Sequence, residues 1–224
     1  MTPDNPAKGP NTADGFRSGP SMGEPRTRAW RQWARSLNCD GRSGLALALV
    51  ALVLLTPELG GDAARRMLRY QRDAFATGEW WRWVTGHLVH LSLAHALLNV
   101  LGLVLLWMLF ARDYSPRAWL LIVASAVAAI DVGLWIGDST LLWYVGSSGA
   151  LHGVLAAGAL AHLRRREPDG WILAGLLVGK LTYEQWVGAL PFLHGAAVVV
   201  DAHLYGALGG VLAAIALAPR AEPV

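Results

Sequence analysis

The chain has 224 residues, of which 54% are hydrophobic and only 16% are charged, and its formal net charge is +3. A soluble domain of ordinary composition carries about 25% charged residues, so this composition predicts a polytopic membrane protein. The single cysteine, Cys39, excludes an intramolecular disulfide and a cysteine-based metal site. Because the basic residues form clusters between apolar runs, they indicate membrane topology, and neither nucleic-acid binding nor a cofactor is expected.

Residues 1–42 are predicted to be a disordered, basic, cytoplasmic tail. They are rich in Pro, Gly, Ser, Asn and Arg and show no apolar periodicity, so they cannot bury enough surface to fold alone. The segment is too long and too polar for the first region of a cleaved signal peptide. A membrane domain is expected over residues 43–219, followed by a short C-terminal tail over residues 220–224.

Six apolar segments predict an all-α membrane bundle of six transmembrane helices. The first runs from about Gly44 to Pro57 and is short for a span, which needs about 20 residues. After it, residues 62–83 mix five arginines with large apolar side chains, which is typical of an amphipathic element lying in the membrane interface. The other five spans are expected at about residues 93–111, 118–136, 148–163, 171–187 and 202–218.

The arginines predict the orientation of these spans. Six spans place both termini on one side, and four basic clusters fall on that same side, whereas the loops after spans three and five carry no Lys or Arg. The five arginines of residues 62–83 are the exception. We therefore expect both termini to be cytoplasmic. The four clusters are the N-terminal tail, Arg112 with Arg117, residues 164–166, and Arg220.

A loop of small residues, Gly146-Ser147-Ser148-Gly149, stands directly before the fourth apolar run. Glycines let the chain turn tightly and let a substrate approach a serine hydroxyl. The alternative interpretation is a helix start softened by glycine and capped by serine. Alone, the motif is weak evidence for a nucleophile.

The predicted topology brings polar groups of three even-numbered spans to a similar depth. His95 and Asn99 lie near the outer start of span two, Ser148 at that of span four and His203 at that of span six. Ionisable groups inside spans are costly and usually have a task. Ser148 could attack a carbonyl with His203 as general base. His95 and Asn99, four residues apart on one helical face, could stabilise the oxyanion, or they could instead join neighbouring spans by hydrogen bonds.

Several further residues are candidates for lining this site. His152 lies one turn after Ser148 and could line the site or pack helices. Asp201, two residues before His203, could orient the imidazole as an acid, or cap span six. Gly206 and Gly210 in span six, with Gly149 and Gly153 in span four, predict a close approach of two helices. The candidate lining residues are His152, Gly146, Gly149 and Asp201.

Other ionisable residues suggest no second site. A metal site at His87, His90 and His95 is not expected, because no carboxylate or cysteine lies at ligand spacing among them. In span five, Lys180 and Glu184 are four residues apart and are expected to neutralise each other within the bilayer. Asp131 in span three has no partner that the sequence identifies.

Taken together, these residues resemble those of the rhomboid family of intramembrane serine proteases, in the family's order from about Gly44 to Ala218. The resemblance implies that Ser148 is the nucleophile and that His203 is the base of a Ser-His dyad without an acid. It also implies that His95 and Asn99 support the oxyanion and that a membrane-anchored protein is cleaved. The matching pieces are Trp81-Arg82, His90, residues 95–99, residues 146–149 and residues 202–210.

Within the family, residues 148–153 and 200–204 are most similar to the bacterial rhombosortases. That similarity implies the bacterial inner membrane, with the active site on the periplasmic side. It also implies exported substrates with a C-terminal sorting signal, made of a Gly-Gly-rich motif, a hydrophobic helix and a basic tail. Glycines weaken a helix and let the substrate unwind into a site. The alternative function is a non-catalytic rhomboid-like protein that binds transmembrane clients.

Overall fold

The computed structural model describes residues 37–39, 41–189 and 198–220. Most of the predicted N-terminal tail and residues 221–224 of the predicted C-terminal tail therefore lie outside the described residues. Helix α1 spans Gly41–Leu55, close to the predicted first span, and a 3₁₀ turn over Thr56–Gly60 leads into α2 at Gly61–Leu68.

The predicted all-α polytopic helical bundle is confirmed. The helices that follow are α3 (Arg82–Thr85), α4 (Leu93–Phe110), α5 (Pro116–Gly137), α6 (Ser148–Arg165), α7 (Pro168–Val187) and α8 (Asp201–Ala216). Two strands of two residues each, β1 (Tyr70–Gln71) and β2 (Trp143–Tyr144), form an antiparallel pair with Tyr70 opposite Tyr144. This pair joins the arginine-rich residues 62–83 to the loop before α6.

Helix length and hydropathy separate the spans into two groups. Among the described residues, three helical stretches are long and apolar enough to cross a membrane, and α8 is a shorter apolar helix. Helices α6 and α7 have 18 and 20 residues but carry more polar side chains. Ser148 and His152 therefore lie on one of the less apolar helices, α6. The three long apolar stretches are Gly41–Leu68, Leu93–Phe110 and Pro116–Gly137.

Local sequence explains where several helices begin. The hydroxyl of Ser92 accepts a hydrogen bond from the amide of His95 at the start of α4, and Ser115 does the same for Ala118 at the start of α5. Pro116 then occupies the first turn of α5, where the missing N–H costs nothing. These caps fix the register in which α4 presents His95 to the site.

Helices α6 and α8 meet through glycines, as their spacing predicts. A Cβ added to Gly149 would lie 2.7 Å from the carbonyl oxygen of Ala202, and one added to Gly153 would lie 2.7 Å from that of Gly206. Both distances are too short for a carbon, so the two backbones touch. Gly210 packs on Gly153 in the same way, one turn further along. The close approach holds the first turns of both helices side by side.

Arg72 and Arg82, from the arginine-rich residues 62–83, are engaged in internal contacts. Arg72 Nη2 donates to the carbonyl oxygens of Leu134 (2.8 Å) and Asp138 (2.7 Å), and so caps the end of α5. Arg82, which is 9% exposed, donates to Glu79 Oε2 at 2.6 Å and to the carbonyl oxygen of Arg66 at 2.8 Å. These two cations complete a helix end and an ion pair. Arginines that depart from the predicted charge pattern therefore have a structural role.

Candidate active site

Ser148 and His203 lie at the N-terminal ends of the two glycine-packed helices. Ser148 is the first residue of α6, and His203 stands in the first turn of α8. The distance from Ser148 Oγ to His203 Nε2 is 2.9 Å, and His203 is only 3% exposed. At this distance the serine hydroxyl can donate its proton to the imidazole. The structure thus brings together the two residues that the sequence analysis paired from their depth alone.

The other imidazole nitrogen contacts a carboxylate that the sequence analysis did not place there. Glu184 Oε2 lies 2.9 Å from His203 Nδ1, and Glu184 Oε1 lies 2.6 Å from Lys180 Nζ. The expected contact between Lys180 and Glu184 is confirmed, but the carboxylate has a second partner. The position of Glu184 one turn before the end of α7 indicates its depth, level with His203, but not the direction in which α7 turns the carboxylate.

Asp201, the acid considered from sequence, does not take this place. The N-cap of α8 is Val200, and Asp201 is the first residue inside the helix. Glu184 and Ser148 contact the two ring nitrogens of His203, so neither nitrogen is left for Asp201. Its charge still suits the first turn of a helix, where the dipole favours an anion.

His95 and Asn99 face the same site from α4. The Asn99 amide donates one N–H to the carbonyl oxygen of His95 at 2.9 Å, which leaves its second N–H for another acceptor. His95 Nδ1 lies 3.4 Å from the amide nitrogen of Leu91 and accepts from it, so in the neutral ring the proton sits on Nε2. Both side chains thus offer a donor. Their described hydrogen bonds stay within α4 and the two residues before it, which does not support the alternative of an interhelical pair.

Gly146 keeps open the space between His95 and Ser148. A Cβ at Gly146 would lie 3.3 Å from His95 Cε1 and 3.9 Å from Ser148 Oγ. Its φ angle of +123° is a conformation that residues with a side chain rarely adopt. The backbone is anchored by a hydrogen bond from the Gly146 amide to the carbonyl oxygen of Gly86 at 3.0 Å. A reacting carbonyl oxygen could occupy this gap, beside the unpaired first-turn amides of α6.

His152 braces the catalytic candidates from inside α6. Its ring stacks on that of His203 with centroids 4.2 Å apart and an angle of 19° between the planes. Its Nδ1 donates to the carbonyl oxygen of Ser148 at 2.7 Å. Gly149, by contrast, faces the backbone of Ala202 and belongs to the helix contact. Of the candidate lining residues, His152 and Gly146 therefore lie closest to the reacting atoms.

A cavity of about 390 Å³ opens beside Ser148, between α4, α6 and α7. Its polar lining consists of the site residues themselves, together with Lys180. The remaining lining is mostly aliphatic, which suits an apolar segment of a substrate. The apolar lining residues include Leu98, Gly102, Leu105, Leu106, Leu151 and Leu155.

His90 supports the serine loop. His90 Nε2 lies 3.1 Å from the Oγ of Ser147, which is the residue before α6 and makes no side-chain capping bond. The serine-cap interpretation therefore fails for Ser147, whose hydroxyl is engaged with His90. Burial, followed by the nearby charges of His95 and Arg65, lowers the pKa of His90 to about 4, so the ring is neutral near pH 7.

His87 provides the partner that Asp131 lacked in the sequence. His87 Nε2 lies 3.1 Å from Asp131 Oδ1, and both side chains are buried. With His90 bonded to Ser147, these histidines have separate partners and do not converge on one ion. A different group, His152 with Glu184 and His203, has ligand atoms within 4.8 Å of one another. A metal there would have to displace the hydrogen bonds that hold His203.

Comparison with known proteins places this arrangement in a family. Residues 77–220, more than half of the chain, match the family described as "Rhomboid domain". The chain belongs to the rhomboid family. It is also similar to a Bacillus subtilis (strain 168) protein named "Putative rhomboid protease YdcA", with 27% identity over 137 residues. That alignment covers 61% of this chain and 67% of the relative. The rhomboid domain contains α3 to α8 and with them every candidate site residue.

Proposed function

We propose that this protein is an intramembrane serine endopeptidase that cleaves membrane-anchored proteins with Ser148 and His203. The observation that carries the proposal is the 2.9 Å contact between Ser148 Oγ and His203 Nε2 at the edge of an apolar cavity. Family membership and the similarity to a protein named as a rhomboid protease support the same conclusion.

Acylation follows from the positions of these atoms. Ser148 Oγ attacks the carbonyl carbon of the scissile peptide bond and gives its proton to His203 Nε2. The carbonyl oxygen becomes an oxyanion in the gap beside Gly146. There it accepts hydrogen bonds from His95 Nε2, the free N–H of Asn99 and the backbone amide of Ser148. When the C–N bond breaks, His203 returns the proton to the leaving amine, and the acyl group stays on Ser148.

Deacylation reverses these roles. His203 takes a proton from a water molecule, whose oxygen attacks the acyl carbon, and the oxyanion forms again in the same gap. Collapse of this intermediate breaks the bond to Ser148 Oγ, and the serine recovers its proton from the imidazole. The products are a new carboxyl terminus and a new amino terminus.

The substrate class proposed is an exported protein with a C-terminal sorting signal of the rhombosortase type. The aliphatic cavity suits the hydrophobic helix of such a signal. A peptide bond inside a helix cannot reach Ser148, so the substrate must unwind locally, and a Gly-Gly motif lowers the cost of unwinding by about 1 kcal/mol per glycine relative to alanine.

The membrane orientation proposed has both termini in the cytoplasm and the active site toward the periplasm of a bacterial inner membrane. Ser148 starts α6 and Arg164 and Arg165 end it, so the nucleophile and the basic cluster lie at opposite ends of one helix. Arginines concentrate on the cytoplasmic side of membrane proteins. The basic end of α6 therefore favours a cytoplasmic location, and Ser148 the opposite face.

A pair of neighbouring serines tests the proposal. A reporter carrying a Gly-Gly motif, an apolar helix and a basic tail is incubated with the protein in liposomes, and its C-termini are read by mass spectrometry. Ser148→Ala should abolish cleavage, whereas the matched variant Ser147→Ala should keep most of it. Cleavage that is unchanged in Ser148→Ala would refute the serine mechanism.

A second reporter tests the substrate class alone. Replacing its Gly-Gly motif by Leu-Leu should reduce cleavage at least tenfold, because the helix no longer unwinds as readily. Equal cleavage of both reporters would agree with the protease function but would refute the Gly-Gly motif as the substrate signal.

A further inference from the structure

We propose that Glu184, balanced by Lys180, is a positioning residue that holds His203 in the tautomer and orientation needed to activate Ser148. This inference rests on the proposed protease function. The site then combines Ser148, Glu184 and His203, one from each of the successive helices α6, α7 and α8.

The hydrogen bonds around His203 define its tautomer. A carboxylate only accepts hydrogen bonds, so the 2.9 Å contact with Glu184 Oε2 requires a proton on His203 Nδ1. In the neutral ring Nε2 is then unprotonated and can accept from Ser148 Oγ, also at 2.9 Å. The opposite tautomer would place two lone pairs against each other at Nδ1 and would leave Nε2 unable to act as the base.

Lys180 explains how a carboxylate can be kept at this depth. The side chains of Glu184 and His203 are 1% and 4% exposed, and a buried carboxylate without a partner is costly. Lys180 Nζ lies 2.6 Å from Glu184 Oε1, while its side chain is 28% exposed on the cavity side. Since the ammonium and the carboxylate cancel, the resting His203 faces a pair with no net charge.

The Glu184 carboxylate stabilises the imidazole of His203 once the serine proton has moved to it. Once His203 has taken the serine proton, its positive charge lies directly against the Glu184 carboxylate, with little water to screen it. Lys180 Nζ, 3.5 Å from Nδ1, opposes that charge and limits the gain. The other groups facing the imidazole are Ser148 and His152 from α6 and His95 from α4, none of which carries a negative charge.

The test compares Glu184→Gln with Glu184→Asp in liposomes, using the Gly-Gly reporter. Glu184→Gln should lower kcat by at least about a hundredfold, toward the loss of about ten-thousandfold that follows when a catalytic imidazole loses its orienting carboxylate. KM should change less than about threefold, since Glu184 does not hold the substrate. Glu184→Asp keeps the charge and should recover at least tenfold of the lost kcat.

The pH dependence separates positioning from simple support of the fold. Without the carboxylate, the protonated imidazole is less stable, so the acid limb of the kcat profile should move to lower pH in Glu184→Gln. Lys180→Met removes the opposing cation, so that limb should move to higher pH. The double variant Glu184→Gln/Lys180→Met leaves no unpaired charge, and it should fold and still show the kcat loss.

Two outcomes would overturn the inference. In the first, Glu184→Gln retains the kcat and the pH profile of the parent protein. In the second, kcat falls in Glu184→Gln only where the protein unfolds, and recovers in the double variant. Both outcomes leave Ser148-dependent cleavage by the parent protein intact, so they are distinct from failure of the proposed function, in which the parent protein itself does not cleave.

Discussion

The two sides of His203 are built in opposite ways. Toward α6 the backbones touch, because Gly149 and Gly206 leave no room for a side chain. Toward α4 and α7 lies the 390 Å³ cavity, whose lining is mostly aliphatic. The two sides of His203 therefore have different roles. The packed side fixes the distance from Ser148 to His203, and the open side leaves room for a substrate.

Alanine substitutions of two glycines should have opposite effects, and the larger effect is expected on the packed side. A Cβ at Gly206 would collide with the carbonyl oxygen of Gly149 and separate α8 from α6. Gly206→Ala should lower the free energy of unfolding by about 1–3 kcal/mol and reduce cleavage more than about a hundredfold.

Gly179→Ala is the matched control away from both sides, because Gly179 does not line the cavity and a Cβ there would meet nothing within 4 Å. It should leave cleavage unchanged and raise stability by up to about 1 kcal/mol, because alanine is the better helix former. Thermal unfolding in detergent and reporter cleavage measure both variants. Equal effects of the two substitutions would contradict a close helix contact at Gly206.

Asn99 tests the role of the oxyanion donors that line the cavity beside Ser148. Asn99→Ala removes the free amide N–H and should reduce kcat about a hundredfold, the loss typical of one such donor. Stability should change little, because the lost hydrogen bond is to a carbonyl within α4 that is already part of the helix. Comparison of kcat with KM checks this prediction, and a rise in KM alone would mean that Asn99 binds substrate without stabilising the oxyanion.

Adjacent leucines on α4 test the cavity as the route for substrate. Leu98 lines the cavity, whereas Leu97 does not, and the two side chains are similarly exposed, at 54% and 50%. Leu98→Trp should reduce kcat/KM about tenfold by filling the space, and Leu97→Trp should have no effect. Labelling of Ser148 by a small probe should remain normal in both variants. Equal loss in both would place substrate binding elsewhere.

An effect on stability alone is expected at His90, beside the serine loop. Its pKa is lowered to about 4, whereas an unfolded histidine has a pKa of about 6.5. The unfolded chain therefore binds a proton that the folded chain does not, and this contribution to stability is lost as pH falls from about 6.5 to 4. His90→Gln should reduce the acid sensitivity of unfolding by no more than about 3 kcal/mol. An unchanged pH dependence would contradict a buried, neutral His90.

The features predictable from the sequence were those that depend on one segment or on depth. Apolar runs located the helices to within a few residues, and spacing found the contact of Lys180 with Glu184 and the glycine contact of α6 with α8. Depth alone brought Ser148 and His203 together, because both stand at the same end of their spans.

Contacts that depend on how a helix is rotated, or on tertiary hydrogen bonds, were not predictable in this way. Glu184 reaches His203 only because α7 turns the carboxylate toward α8, and its spacing to Lys180 already provided a sufficient partner. Asp131 meets His87 across 44 residues of sequence, and Arg72 caps a helix more than 60 residues away. The periodicity of one segment does not indicate which distant residues that segment contacts.

Covalent labelling of the serine tests the central claim most directly. The folded protein in detergent is treated with a fluorophosphonate, and the modified residue and its rate are determined by peptide mass spectrometry. We predict modification at Ser148, at least a hundredfold slower labelling in His203→Ala, and normal labelling in Ser147→Ala. No modification of the parent protein, modification at Ser147, or an equal rate in His203→Ala would contradict a serine nucleophile activated by His203.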